Sequence, residues 1–100
     1  MIFRRRFSDV VHRQLELFER DNADLLRRCD EALRAYDRAE RDEAEEAYGD
    51  YHDLVDEATG ELVELRDNYS SVLDEDTAEA YEHEFNRAVI KRFRRFSLEL

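Results

Sequence analysis

From Tyr48 to Val72 the apolar positions Tyr48, Tyr51, Val55, Ala58, Leu62, Leu65, Tyr69 and Val72 follow one another at alternating steps of three and four. At 3.6 residues per turn this spacing puts their side chains on one stripe of a helix. The positions between them are mostly charged, among them Asp50, Asp53, Asp56, Glu57, Glu61, Glu64 and Asp67, so the opposite face meets water. A stripe of this length has to be covered by other helices. Leu62 and Leu65 are predicted to lie buried at its centre.

The same alternation runs earlier, through Val11, Leu15, Phe18, Asn22, Leu25, Cys29, Ala32 and Tyr36. Val10, Leu17, Leu26 and Leu33 widen this stripe, which predicts a helix meeting more than one neighbour. Ser8 is placed to cap its start, with Asp9 at the positive end of the helix dipole. Asn22 is the one polar member of the seam and has two readings. It fixes the register of a helix–helix seam, or it marks a helix end or kink. Residues 37–46 (DRAERDEAEE) have high helix propensity but almost no apolar face, and the heptad phase slips between Tyr36 and Tyr48. The first helix is expected over residues 8–46, with Gly49 as a left-handed cap. The competing readings are a loop at 37–46 and one continuous rod that absorbs the phase slip.

The second helix is expected over 48–73 and passes through Gly60, a surface glycine that costs about 1 kcal/mol relative to Ala. Ser70-Ser71 and Asp74-Glu75-Asp76 mark the next turn, and Asp76 with Glu79 has the form of a capping pair. The third helix, over 76–97, carries Ala78, Tyr81, Phe85, Ala88, Val89, Phe93 and Phe96. So short a turn makes the second and third helices antiparallel neighbours. That register sets His83 opposite Arg66, and Lys91, Arg92 and Arg95 beside Asp53, Asp56 and Glu57. The expected fold is therefore all-α, a coiled-coil-like antiparallel three-helix bundle with a long first helix, forming one domain over 1–100.

Composition sharpens this picture. The chain has no proline and two glycines, so little interrupts a helical hydrogen-bond ladder. Its net charge of −11 is unevenly spread. Residues 1–29 carry seven basic and five acidic groups, residues 30–85 four and 21, and residues 86–100 five and one. The middle repels nucleic acid and anionic membranes, while both ends attract them. A single cysteine, Cys29, excludes an intrachain disulfide and makes a reducing cytoplasm the expected location. The opening MIFRRRF has the charge of a signal-peptide start, but Ser8, Asp9, His12, Arg13 and Gln14 interrupt the apolar run such a signal needs.

The candidate chemistry is sparse. A di-metal site in a bundle calls for Glu-x-x-His on two helices, and this sequence has none. Asp9 and His12, His52 and Asp56, and Glu79 and His83 are the nearest approximations, and His52 and His83 do not converge in the expected register. Cys29 sits on an apolar stripe, where a cysteine is usually a small inert hydrophobe. The serines fall at helix ends, and the two glycines make no phosphate loop. The run Lys91-Arg92-Phe93-Arg94-Arg95-Phe96 interleaves cations with aromatics. It reads as an anion-binding stretch or, more simply, as core phenylalanines flanked by cations paired with the acidic second helix. Tyr36, Tyr48, Tyr51, Tyr69 and Tyr81 read as core or interface residues.

The function expected on these grounds is that of a small non-catalytic helical scaffold or interaction protein, with no cofactor. The alternatives are a carboxylate–histidine metal-binding bundle and an anion-binding adaptor using the C-terminal run. Self-association is expected from helix lengths. A first helix of about 39 residues at 1.5 Å per residue overhangs its shorter partners. Its interface candidates Val10, Val11, Leu15, Leu17, Phe18 and Asn22 would then need a second copy, giving a homodimer.

Overall fold

The computed structural model describes residues 6–98. Their architecture is all-α, with no strand among the described residues, but it has four helices rather than three. They are α1 (Ser8–Asp21), α2 (Ala23–Arg38), α3 (Ala44–Ser70) and α4 (Glu75–Arg92). The expected first helix is broken once and ends early, and both departures have local causes.

The break is at Asn22. Its amide Nδ2 donates to the Phe18 carbonyl at 3.1 Å, an oxygen that also accepts from the Asn22 backbone N–H at 2.9 Å. A side chain competing for the ladder in this way favours a bend. Asn22 adopts φ −118°, ψ 27°, and the ladder resumes when Leu26 N–H donates to the Asn22 carbonyl. Of the two readings of Asn22, the kink is the one observed.

α2 stops at Arg38, because Ala39 turns extended at φ −67°, ψ 142°. Residues 39–43 form the connection, which rules out both the helix through 46 and the continuous rod. The reason is energetic: residues 37–46 offer no apolar face, and a helix without tertiary burial is marginal in water. α3 begins at Ala44, so Gly49 lies inside a helix and caps nothing.

The capping at the other ends also differs in detail. Phe7, not Ser8, precedes the first turn of α1, and its backbone N–H donates to the Glu84 carboxylate of α4 at 3.2 Å. Negative charge at that end suits the helix dipole. Asp74, not Asp76, caps α4, its carboxylate accepting from the Thr77 backbone N–H at 2.9 Å. That hydrogen bond holds the Asp74 carboxyl below the ordinary aspartate value. The bond is therefore present above the ordinary pKa and lost as pH falls through the lowered one. Asp74→Ala is expected to destabilise the fold at neutral pH, with the deficit closing in strong acid. Urea midpoints of the two proteins at several pH values check this, and a deficit unchanged at low pH would contradict it.

The four helices pack as two overlapping pairs. α2 runs antiparallel to α3, and α4 returns along α3 to lie parallel to α1. The α3–α4 register places Tyr81 on Tyr69, with ring centroids 4.7 Å apart, and Arg66 on Asn86 at 3.0 Å. Arg66 thus meets Asn86 rather than His83, one helical turn further along. The Ser70 hydroxyl bonds to the Glu82 carboxylate at the same level.

Leu15, Ala58, Leu62, Tyr81, Phe85, Val89 and Phe96 make the centre of the core. Leu62 is fully buried, as expected, whereas Leu65 is only partly buried against the cluster. The expected seam does not hold at its ends: Tyr48 is 49% exposed, and Val72, beyond the end of α3, is 77% exposed. α4 ends at Arg92 rather than 97, because Phe93 turns out of the helix at φ −126°, ψ 93°. The segment after it folds across α1, where Phe93 and Phe96 stack edge-on against Phe18 at 5.6 and 6.5 Å.

Candidate interaction surfaces

The side chains expected to need a second copy are largely taken up inside the chain. Val11, Leu15 and Phe18 are at most 3% exposed, packed with α4 and the segment after it. Val10, Leu17 and Asn22 are partly buried. α4 lies along α1, so the overhang that a long unbroken first helix would leave does not arise.

The basic–aromatic run is divided between two tasks. Its phenylalanines enter the core, while two of its four cations pair with α1 and α2 rather than with α3. Arg92 meets Glu19 at 2.6 Å and lies 3.4 Å from His12. Arg95 meets Asp30 at 2.6 Å. The early end of α4 explains the change, since leaving the helix at Phe93 carries Arg95 across to α2. Arg94, Lys91 and Arg87 are exposed and take part in no ion pair among the described residues.

Those last two cations face a groove of about 910 Å³ between α1 and α4. Phe7, Val11, Leu15 and Ala88 line its bottom, and Ile90, 48% exposed, stands at its edge. Arg6, Arg87, Lys91 and Arg92 surround it, with His12 and His83, against Glu84 as its one acidic lining residue among the described residues. Glu84 already accepts the Phe7 N–H. On α4, His83, Arg87 and Lys91 recur every four residues, a step of about 6 Å along the axis. This is a basic, apolar-bottomed groove on a chain of net charge −11. The basic run read from the sequence contributes Lys91 and Arg92 to the groove, whereas Arg87 and the groove itself carried no signal, because the α1 wall depends on which helix lies beside α4.

The other outlying surface is the outer face of α3. Its nine carboxylates, from Glu45 to Asp67, are all exposed. Among the described residues only Asp56, with His52, and Asp67, with Arg66, are in ion pairs. Gly49 and Gly60 lie eleven residues apart, three turns, so they share this face with Asp53 and Glu64. A methyl group added at either glycine would have nothing within 4 Å. Nothing inside the chain therefore requires these glycines, although each costs about 1 kcal/mol relative to Ala in a helix. Gly60→Ala is expected to stabilise the fold by about that amount. An unchanged or lower urea midpoint would show that the position is not the open helix surface described here.

The remaining candidates are structural. Cys29 is buried and free, and burial pushes its thiol up, away from the reactive thiolate. Tyr81, in the core, donates to Gln14 Oε1 at 2.8 Å, and burial pushes its phenol up to about 12. Asn86 is buried, and among the described residues its Nδ2 has no partner. Tyr36 and Tyr48 stack at 5.4 Å at the far end of the α2–α3 pair, both more than one-third exposed. His12 pairs with Glu16 and His52 with Asp56, each one turn apart on its own helix. Among the described residues no three His, Cys, Asp or Glu side chains come together as a metal site, and no described helix is long and apolar enough to cross a membrane.

Comparison with family models, with curated proteins and with solved structures gives no significant match for this chain.

Proposed function

We propose that this chain is a small non-catalytic helical interaction protein that self-associates, with a homodimer as its smallest assembly. The groove between α1 and α4 carries this reading. It joins an apolar bottom to a rim of Arg and Lys side chains of which, among the described residues, only Arg92 is in an ion pair, which is the chemistry of a docking surface for an acidic helix. The exposed Tyr36–Tyr48 pair adds a second surface of the residue type enriched at protein interfaces. The histidines and carboxylates, spread along separate helices, favour this reading over a metal-binding bundle. The Arg92 and Arg95 ion pairs favour it over an anion-binding adaptor built on the C-terminal run. Solution mass by light scattering over a range of concentrations tests it. A mass that stays at 12.1 kDa throughout would remove self-association.

A further inference from the structure

We infer that the acidic outer face of α3 in one copy docks in the basic α1–α4 groove of the next, so that the protein assembles head to tail. This rests on the self-association proposed above and names the two surfaces that would make it. Three observations on separate parts of the molecule converge on it.

The first is charge complementarity. Among the described residues the groove is lined by Arg6, Arg87, Lys91 and Arg92, the last paired with Glu19, against a single glutamate. The α3 face holds nine exposed carboxylates, and two of them are in ion pairs among the described residues. The steps also match, because Asp53, Glu57 and Glu61 follow the same four-residue spacing as His83, Arg87 and Lys91. Two copies of an acidic chain repel one another at long range. The bundle, however, is 24 × 22 Å across its short axes, well beyond a Debye length of about 8 Å at physiological salt. At contact the local pairs dominate over the net charge.

The second is the pair of glycines. Gly49 and Gly60 lie on the same face as the carboxylates, with open space around both. A helix surface without side chains at these two points lets a neighbouring backbone approach closely. The acidic face is thus a ridge with two low points rather than a uniform brush of charge. Ile90 at the groove edge, 48% exposed, is an apolar side chain that can settle against such a low point.

The third is placement. Glu82 and Asn86 of α4 reach α3, through Ser70 and Arg66. Arg87 and Lys91 lie on the side of α4 turned away from α3, toward the groove. Ridge and groove therefore lie on opposite sides of the bundle. Two copies cannot satisfy both surfaces of both chains around a two-fold axis, and a heterologous contact of this kind propagates or closes into a ring. The homodimer is then the first step of a longer series.

The test uses two charge-reversed variants of the full chain, Arg87→Glu/Lys91→Glu and Asp53→Lys/Glu57→Lys. All four positions are exposed, and circular dichroism is used to check that each variant is folded. The wild type is expected to gain mass with concentration at low salt. Raising the salt to about 1 M, where the Debye length is about 3 Å, should weaken association at least about tenfold. Each variant alone is expected to remain at 12.1 kDa, and an equimolar mixture of the two to recover a larger mass, because mixing pairs opposite charges again. A wild type that oligomerises, with both variants unchanged in mass, would overturn this pair of surfaces and leave self-association standing. A wild type that is monomeric at every concentration and salt would overturn both. Variants that each lose association but fail to recover it when mixed would also overturn the pairing, since the loss would then not come from one charge meeting the other.

Discussion

Leu62→Ala is expected to lower the stability of the fold by about 2–5 kcal/mol, the range for truncating a buried leucine. Leu62 has no exposed surface and lies with Ala58 on the inner face of α3, in the cluster that includes Leu15, Tyr81, Phe85 and Val89. The fully buried neighbours contributed by α1 and α4 leave little freedom to collapse into the space, so the cavity term adds to the lost transfer energy. A small domain has a total of roughly 5–15 kcal/mol, so one such substitution removes a large share of it. Chemical denaturation followed by helical circular dichroism gives the value directly. A loss below about half a kcal/mol, typical of exposed sites, would place Leu62 outside the core.

Phe96→Ala should cost as much or more, about 3–5 kcal/mol for a buried phenylalanine. The position lies beyond the last helix, where chain ends usually fray with little consequence. Here Phe96 is 1% exposed and packs edge-on against Phe18 and tilted against Phe93, while neighbouring Arg95 ties the segment to Asp30 of α2. The substitution should also loosen α1, whose Phe18 loses an aromatic neighbour. Hydrogen exchange in α1 should therefore accelerate along with the drop in the denaturation midpoint. A Phe96→Ala protein as stable as the wild type would show that the terminal segment is not part of the core.

The helical seams were legible because a heptad stripe records burial directly. Ala58, Leu62, Leu15, Phe18, Tyr81, Phe85 and Val89 all belong to predicted stripes and all are buried. The places where helices stop were less legible. Propensity favours helix at residues 37–46, and only the lack of an apolar face argues otherwise. Asn22 carries its signal in a side chain whose role depends on whether it reaches a partner helix or its own backbone. Phe93 and Phe96 fit a helical stripe by spacing alone, so the turn that swings them over Phe18 left no mark in the pattern. The same limit applies to the candidate surfaces. The cations of α4 and the carboxylates of α3 stand plainly in the sequence, but assigning Arg92 to Glu19 and Arg95 to Asp30 requires knowing that α1 and α2 lie beside them.

The kink at Asn22 also divides the order in which contacts become affordable as the chain collapses. α2 and α3 are joined by only five residues, so their pairing closes a short loop. α1 and α4 meet through contacts such as Phe7 with Glu84, 77 residues apart in sequence. The entropy of closing a loop grows with the logarithm of its length, so this second pairing is the costlier one in an open chain. Once α2 and α3 have zipped together, most of the intervening chain is already fixed and the remaining gap is short. With a break between α1 and α2, the local hairpin is expected to pack before α1 finds its partner, so that α1 and α4 would meet on a scaffold already in place.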